Sequence, residues 1–300
     1  LHFGGDYNEE RYDIEIAKWS VQKLLEDGWD NPEVDSFEEL TIDSPPFTKT
    51  LTIEGREVEA QVYIYHPNLA DASEAEKLTE AMKESFETRD VVIYNGHAGP
   101  GAGFILDYNP RHEIEPRQFD ELPLADKYQI YVFNGCETYR TYVGDLMEND
   151  RKDFENVDIV TTVNKTPIAS FYQVTYQFIY WLTFTDAQGR HYPMTWNSIL
   201  QGINKENRRD AHYGVHGIDQ DPKLNPHHNE GVACTTCDSQ SQCEAGGNYC
   251  LEMRGGSACG VACATSEACG EGSRCVPITD NPDKFYMPKQ CVPEQRQCTR

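Results

Sequence analysis

Val91-Val92-Ile93-Tyr94-Asn95-Gly96-His97 and Ile130-Tyr131-Val132-Phe133-Asn134-Gly135-Cys136 decide the fold. Each is an apolar, β-branched and aromatic run of strand length that ends in Asn-Gly and then a reactive side chain. Neither run alternates apolar with polar residues. Unbroken apolar runs of this length fit central parallel strands covered on both faces. As neighbours in one sheet, the two strands would carry His97 and Cys136 to the same edge, where open α/β sheets hold their ligands. A cysteine nucleophile with a histidine base is the leading expectation.

The segments around these blocks alternate in type. Residues 9–27 read as a helix with Asn8 as N-cap, an inward stripe of Ile14, Ala17, Val21, Leu24 and Leu25, and Gly28 past its end. Thr48–Ile53 and Val58–Tyr65 read as a hairpin around Glu54-Gly55, with Val58, Ala60, Val62 and Ile64 alternating inward. Ser73 and Glu76 form a capping box for a helix carrying Leu78, Met82 and Phe86. Thr138–Met147 is a further helix, Val157–Val163 a strand, Ser170–Phe184 a buried helix and Thr195–Arg208 a more polar one. This order predicts an α/β fold with a mostly parallel sheet flanked by helices. Periodicity vanishes over residues 211–233, where Asp, Pro, Asn, His and Gly dominate.

Cysteine usage divides the chain. Cys136 stands alone in the first 233 residues, and ten cysteines lie between Cys234 and Cys298. The run Cys234, Cys237, Cys243, Cys250 is echoed by Cys259, Cys263, Cys269, Cys275, with Cys291 and Cys298 closing the set. So small a segment has few large apolar residues and needs cross-links worth about 2–4 kcal/mol each. The expected division is an α/β domain over residues 1–222, a linker over 223–233 and a small disulfide-rich domain over 234–300. Ten cysteines can pair completely, which leaves Cys136 as a free thiol in an oxidising compartment.

Composition narrows the function classes. A hydrophobic content of 38% supports a packed core, and a net charge of −24 repels nucleic acid and anionic membranes. No apolar stretch approaches the roughly 20 residues of a membrane span. The start at Leu1-His2-Phe3, without a basic and apolar leader, reads as a trimmed or mature chain.

Acyl cleavage by cysteine needs a thiolate, a base and donors for the oxyanion. Cys136, at a strand-to-helix junction, supplies the first and gains from the helix N-terminus, which lowers a thiol pKa. His97 supplies the second. Backbone N–H groups of Cys136 and of the loop after His97 are the candidate oxyanion donors, with Ala98, Gly99 and Gly135 around them. The Gly-rich loop from Gly96 to Gly103 suits tight bending or close approach to a ligand, and lacks the phosphate-loop pattern.

These blocks, in this order, resemble the caspase–hemoglobinase-fold cysteine peptidases: caspases, legumains, gingipains, clostripain and separases. That group has one hydrophobic strand ending in His-Gly and a later one ending in a small residue and the nucleophilic Cys. The resemblance covers residues 1–222, and Cys136-Glu137 is similar to the legumain nucleophile block. It implies a caspase-like fold, a His97–Cys136 dyad and cleavage of protein or peptide substrates after one preferred residue. The acidic domain tilts that preference toward Arg or Lys. By analogy, Glu137, Asn164 and Pro167 line the substrate pocket. The family has Gly directly after the histidine, whereas this chain has Ala98 and then Gly99; a positive φ there would strain Ala. The Cys-rich repeats resemble tails on secreted proteins of predatory soil bacteria such as myxobacteria, which implies a secreted or cell-envelope location; the tail is open to two readings, a sorting or surface-attachment module or a cover on the active site until removed.

Other groups are weaker candidates. His212 and His216 share the spacing of one helical face and His227-His228 follow Pro226, without a zinc motif. Cys234 and Cys237 form Cys-x-x-Cys, whose neighbours favour disulfides over zinc. Asp6, Asp107 and Asp120 are candidate calcium ligands or recognition carboxylates, with solvated acids as the default; no metal or other cofactor is otherwise implied. The competing function is a catalytically inactive peptidase relative acting as a secreted binding or surface-attachment protein.

Overall fold

The computed structural model describes residues 1–186, 190–191, 194–206, 212–218, 234–239, 242–243, 249–262, 269, 272–277, 289–295 and 297–298. Along the chain, β1 (His2–Phe3) is followed by α1 (Tyr12–Glu26), the hairpin of β2 (Phe47–Ile53) and β3 (Arg56–Val62), and α2 (Glu76–Thr88). Next come β4 (Val91–Asn95), a hairpin of β5 (Phe104–Tyr108) and β6 (Arg111–Ile114), β7 (Gln129–Asn134), α3 (Thr138–Met147) and β8 (Val157–Thr162). Helices α4 (Ala169–Thr183) and α5 (Trp196–Glu206) lead to β9 (Tyr213–Gly217).

Five of these strands form one sheet in the order β1-β4-β7-β8-β9. The first four are parallel and β9 runs antiparallel to β8. The apolar runs are continuous because both faces are covered. Val92, Tyr94, Tyr131 and Phe133 pack under Leu78, Met82 and Phe86 of α2 and Tyr142 and Leu146 of α3. The intervening Ile93, Val132 and Val160 meet Val174 and Phe178 of α4 and Leu200 and Ile203 of α5. Helix α1 packs against α4 through Ile16, Ala17 and Phe171. The fold is therefore mixed α/β, with a mostly parallel sheet between helices.

Strand order rises steadily across the sheet and never reverses, so the site does not depend on a reversal point. What places it is pairing: β4 and β7 are adjacent and in register, with Asn95 opposite Asn134. Two residues beyond each asparagine stand His97 and Cys136.

Several local expectations are corrected. Helix α1 starts at Tyr12 with Arg11 in the left-handed region, and Asn8 does not cap it. The Asn8 N–H and side-chain amide are taken by Asp6 Oδ1, at 3.1 and 2.6 Å, which ties residues 6–8 into a turn. Ser73 does not box with Glu76, because its N–H and hydroxyl both bond Asp71. In the first hairpin Glu54 and Gly55 take positive φ of 50° and 79°, as a type I′ turn needs; Ile64 is buried and Ala60 and Val62 pack against the core with Phe47, but Val58 is exposed. Tyr213–Gly217 is a sheet strand where loss of periodicity suggested an irregular segment. A short edge strand with two glycines gives too little pattern to read. The expected linker at 223–233, with His227 and His228, lies outside the described residues.

The C-terminal region holds the pair β10 (Cys250–Met253) and β11 (Gly256–Cys259), and the three strands β12 (Val261–Ala262), β13 (Ser273–Pro277) and β14 (Lys289–Pro293). Disulfides join Cys234 to Cys298, Cys237 to Cys250, Cys243 to Cys259 and Cys269 to Cys291, and Cys275 is also disulfide-bonded. Repeated spacing is not repeated pairing: the Cys243–Cys259 bridge joins the two copies. A disulfide-rich region of this kind points to an extracellular or oxidising environment. No helix among the described residues is long and apolar enough to cross a membrane.

Candidate active site

The two strand ends are held together by their backbones. The Cys136 N–H donates to the Ala98 carbonyl at 3.2 Å, and the Gly96 N–H donates to Asn134 O at 3.2 Å. Beneath them Asn134 Nδ2 donates to Asn95 Oδ1 at 2.8 Å, and Thr175 donates to the same oxygen at 2.7 Å. The Tyr213 hydroxyl donates to Asn134 Oδ1 at 2.6 Å. The Asn-Gly pairs are therefore a buried network followed by close approach, not hairpin turns. The Gly135 carbonyl accepts from the hydroxyls of Thr162 and Thr166, both at 2.6 Å, which fixes the peptide that carries Cys136.

The loop after His97 is clamped by two tyrosines. The Tyr94 hydroxyl lies 2.7 Å from His97 O and 3.0 Å from Ile105 O. The Tyr142 hydroxyl donates to Ala102 O at 2.9 Å and accepts the Gly99 N–H at 3.1 Å. Gly99 takes the positive φ, 132°, and a Cβ there would sit 2.3 Å from Cys136 O. Ala98 is not in the left-handed region, so the departure from His-Gly carries no backbone strain.

The sequence offers four N–H groups as oxyanion donors, those of Ala98, Gly99, Gly135 and Cys136, and the structure separates them. Cys136 donates to Ala98 O, Gly99 to Tyr142, and Gly135 to Phe133 O at 3.1 Å. Ala98 alone of the four has no acceptor among the described residues.

His97 is gripped by residues that sequence patterns did not single out for it. Its Nε2 lies 3.1 Å from Asp6 Oδ1. Asp6, expected to be solvated, has a side chain only 4% exposed. Burial would raise its carboxyl, but the Asn8 N–H and the His97 ring outweigh that and hold it below the usual range. Tyr7 stacks on the imidazole with centroids 4.8 Å apart, and Tyr108 meets the ring edge-on at 6.0 Å. The contact between Asp6 and His97 spans 91 positions, so no local spacing could reveal it.

Cys136 is half-buried and the free cysteine among the described residues. The expected low thiol pKa is corrected. Burial pushes it above its ordinary value; the Thr166 N–H and Lys165 oppose the rise without cancelling it, and Glu137 adds to it. Glu137, not Cys136, adjoins α3, in the left-handed region at φ 51°. Iodoacetamide labelling of the folded chain is thus expected to keep climbing through about pH 9, with under about a tenth of its maximal rate at pH 6. A rate already at its plateau at pH 6 would contradict this.

The analogy-based pocket residues do not act alike. Glu137 is paired with Arg140 at 2.6 Å, and its N–H donates to Asn164 O at 2.9 Å. Asn164 is buried, and Pro167 is exposed. An open depression is lined by Gly101–Gly103 of the loop with Glu113, Glu115, Arg117 and Asp145. Glu113 and Glu115 are already paired with Arg111 and Arg117.

Metal ligation gains no support from the acidic candidates. Asp107 accepts the N–H groups of Tyr108 and Asn109, and Asp120 is exposed. The one cluster with ligand spacing among the described residues is Cys237, Cys243 and Cys259, and all three are spent in disulfides. His216 lies in β9 between Tyr139 and Phe154, and His212 precedes that strand, so the helical-face reading is corrected. Burial pushes His212 down to about 4.

No protein-family model, curated protein or solved structure matches the chain.

Proposed function

We propose that the chain is a secreted cysteine endopeptidase of the caspase–hemoglobinase kind, with Cys136 as nucleophile and His97 as base. The observation that supports this reading is the in-register pairing of β4 with β7, neighbouring strands that end two residues short of His97 and Cys136. The raised thiol fits a nucleophile deprotonated during attack, not a standing thiolate. His97 takes the thiol proton as sulfur bonds to the scissile carbonyl carbon, and returns it to the leaving amine nitrogen. Water then hydrolyses the thioester. The Ala98 N–H is the donor available to the oxyanion. A preference for Arg or Lys rests on the acidic character of the domain, with Asp145 the carboxylate of the depression beside the loop that is left to meet a basic side chain. The disulfide-rich tail serves attachment to a cell surface.

A second reading, an inactive relative that binds, is favoured by the buried thiol and the three engaged N–H donors. The two part on one experiment. The full chain is incubated with a mixed peptide library and the cuts are mapped by mass spectrometry. A matched sample is first carbamidomethylated at high pH, where Cys136 is the thiol available. Discrete cuts that vanish on alkylation are expected. Cuts that survive it, or no cuts from untreated protein, would remove the peptidase reading.

A further inference from the structure

We infer that Asp6 and Tyr7 together form a positioning element for His97, one fixing the edge of its ring and the other its face. The kinetic part of this inference rests on the peptidase reading; the spectroscopic part does not.

The segment that carries them is anchored on both sides. The Gly4 N–H donates to Asn95 O at 2.7 Å and the Gly5 N–H to Ile105 O at 3.0 Å. The Asp6 N–H donates to Asp13 Oδ2 at 3.3 Å, and Asp13 is itself held by Arg11. Asp6 is thus delivered to His97 by backbone fixed to β4 and β5 and by the first turn of α1. An ionised carboxylate only accepts, so the Nε2 facing it bears the proton. Nδ1 then carries the lone pair and is the nitrogen that can take the Cys136 proton.

Tyr7 is 64% exposed, so burial does not account for where its ring lies. The interplanar angle of 24° against His97 is that of a stacked pair. A π face stabilises positive charge developing on the imidazole, and a carboxylate at the ring edge does so more strongly. The groups set against the ring are Asp6, Tyr7 and Tyr108; the Arg11–Asp13 pair meets Asp6 rather than the ring, and Glu137 and Lys165 act on Cys136. Arg11 lies in the field of Asp6, Asp13 and Asp107, and is spent on Asp13. A buried thiol is reluctant to release its proton, so stabilising the charge on its acceptor lowers the barrier to attack. The proton moves from sulfur to Nδ1, and Asp6 keeps its charge throughout.

The tautomer of His97 in the full chain, read from its ring 15N shifts, tests the inference without any substrate. Nε2–H is expected in the native protein and in Y7F, and in D6N the proton is expected to redistribute onto Nδ1. On a cleaved peptide, D6N is expected to lose about 100-fold in kcat with KM changed by less than about threefold. Y7L is expected to lose about tenfold in kcat, and Y7F, which keeps the ring, to stay at the native value. A native ring protonated on Nδ1, or a D6N ring with the native tautomer, overturns the inference even if peptides are cut. The expected tautomers in a chain that cuts nothing uphold the positioning of the ring while the peptidase reading falls.

Discussion

On the proposed peptidase activity, Gly99→Ala is expected to lose at least about 1000-fold in kcat/KM while Gly101→Ala, two residues away, stays within about fivefold of the native protein. The contrast isolates contact from conformation, because both glycines have positive φ, at 132° and 82°. A Cβ at position 101 meets nothing within 4 Å, and a Cβ at 99 would lie 2.3 Å from Cys136 O and 3.4 Å from Cys136 Cβ. Backbone strain at either position costs about 1–3 kcal/mol. At 99 a collision with main chain adds about 1–3 kcal/mol more, and relief is available only by shifting the loop or the Cys136 peptide. Both sides are clamped, the loop by Tyr142 and the peptide by Thr162 and Thr166. Whichever yields, Cys136 moves relative to His97, and for a nucleophile and base a displacement near 1 Å costs about 100-fold before the lost Gly99–Tyr142 bond is counted. The measurement is kcat/KM on a mapped peptide, with thermal unfolding alongside. If both alanine variants retain equal activity, the packing of Gly99 on Cys136 has no bearing on the site.

How much of this was legible in the sequence depends on the reach of each signal. Continuous apolar runs report burial on both faces, and β4, β7 and β8 are buried that way. Helices α3 and α4 also appear within a residue of their expected ends, and Leu78, Met82 and Phe86 of α2 face inward as their spacing predicts. The two expected caps fail because an aspartate two residues earlier takes the N–H and side chain of the cap residue itself, as Asn8 and Ser73 show. The thiol was misjudged for a related reason. A strand-to-helix junction suggests a favourable dipole, but burial of the sulfur dominates, and burial is a property of the packed fold. Asp6 stands out in the sequence only as one of three candidate carboxylates, with solvation as the default reading and no link to His97. What sets it apart is a partner 91 positions away, beyond the range of any periodicity.

Asn134→Ala is expected to destabilise the α/β part by about 3–5 kcal/mol, because it orphans buried groups and leaves a cavity as well. Asn134 is wholly buried and joins three strands: its amide donates to Asn95 of β4, and its oxygen accepts the Tyr213 hydroxyl of β9. Alanine would leave that hydroxyl without its acceptor in a side chain that is itself wholly buried. For a domain of this size the melting temperature should fall by about 10 °C. Tyr213→Phe removes the other end of the same bond and should cost about 1–3 kcal/mol, since it strands the Asn134 oxygen. The informative quantity is the coupling. With both groups gone nothing is left unpaired across β7 and β9, so the Asn134→Ala, Tyr213→Phe double variant should fall short of the summed single losses by about 1–2 kcal/mol. Strict additivity would mean that the two side chains are stabilised separately. Coupling would make the asparagine before each glycine the anchor of the sheet edge, with the reactive residue two positions beyond it placed by that anchor.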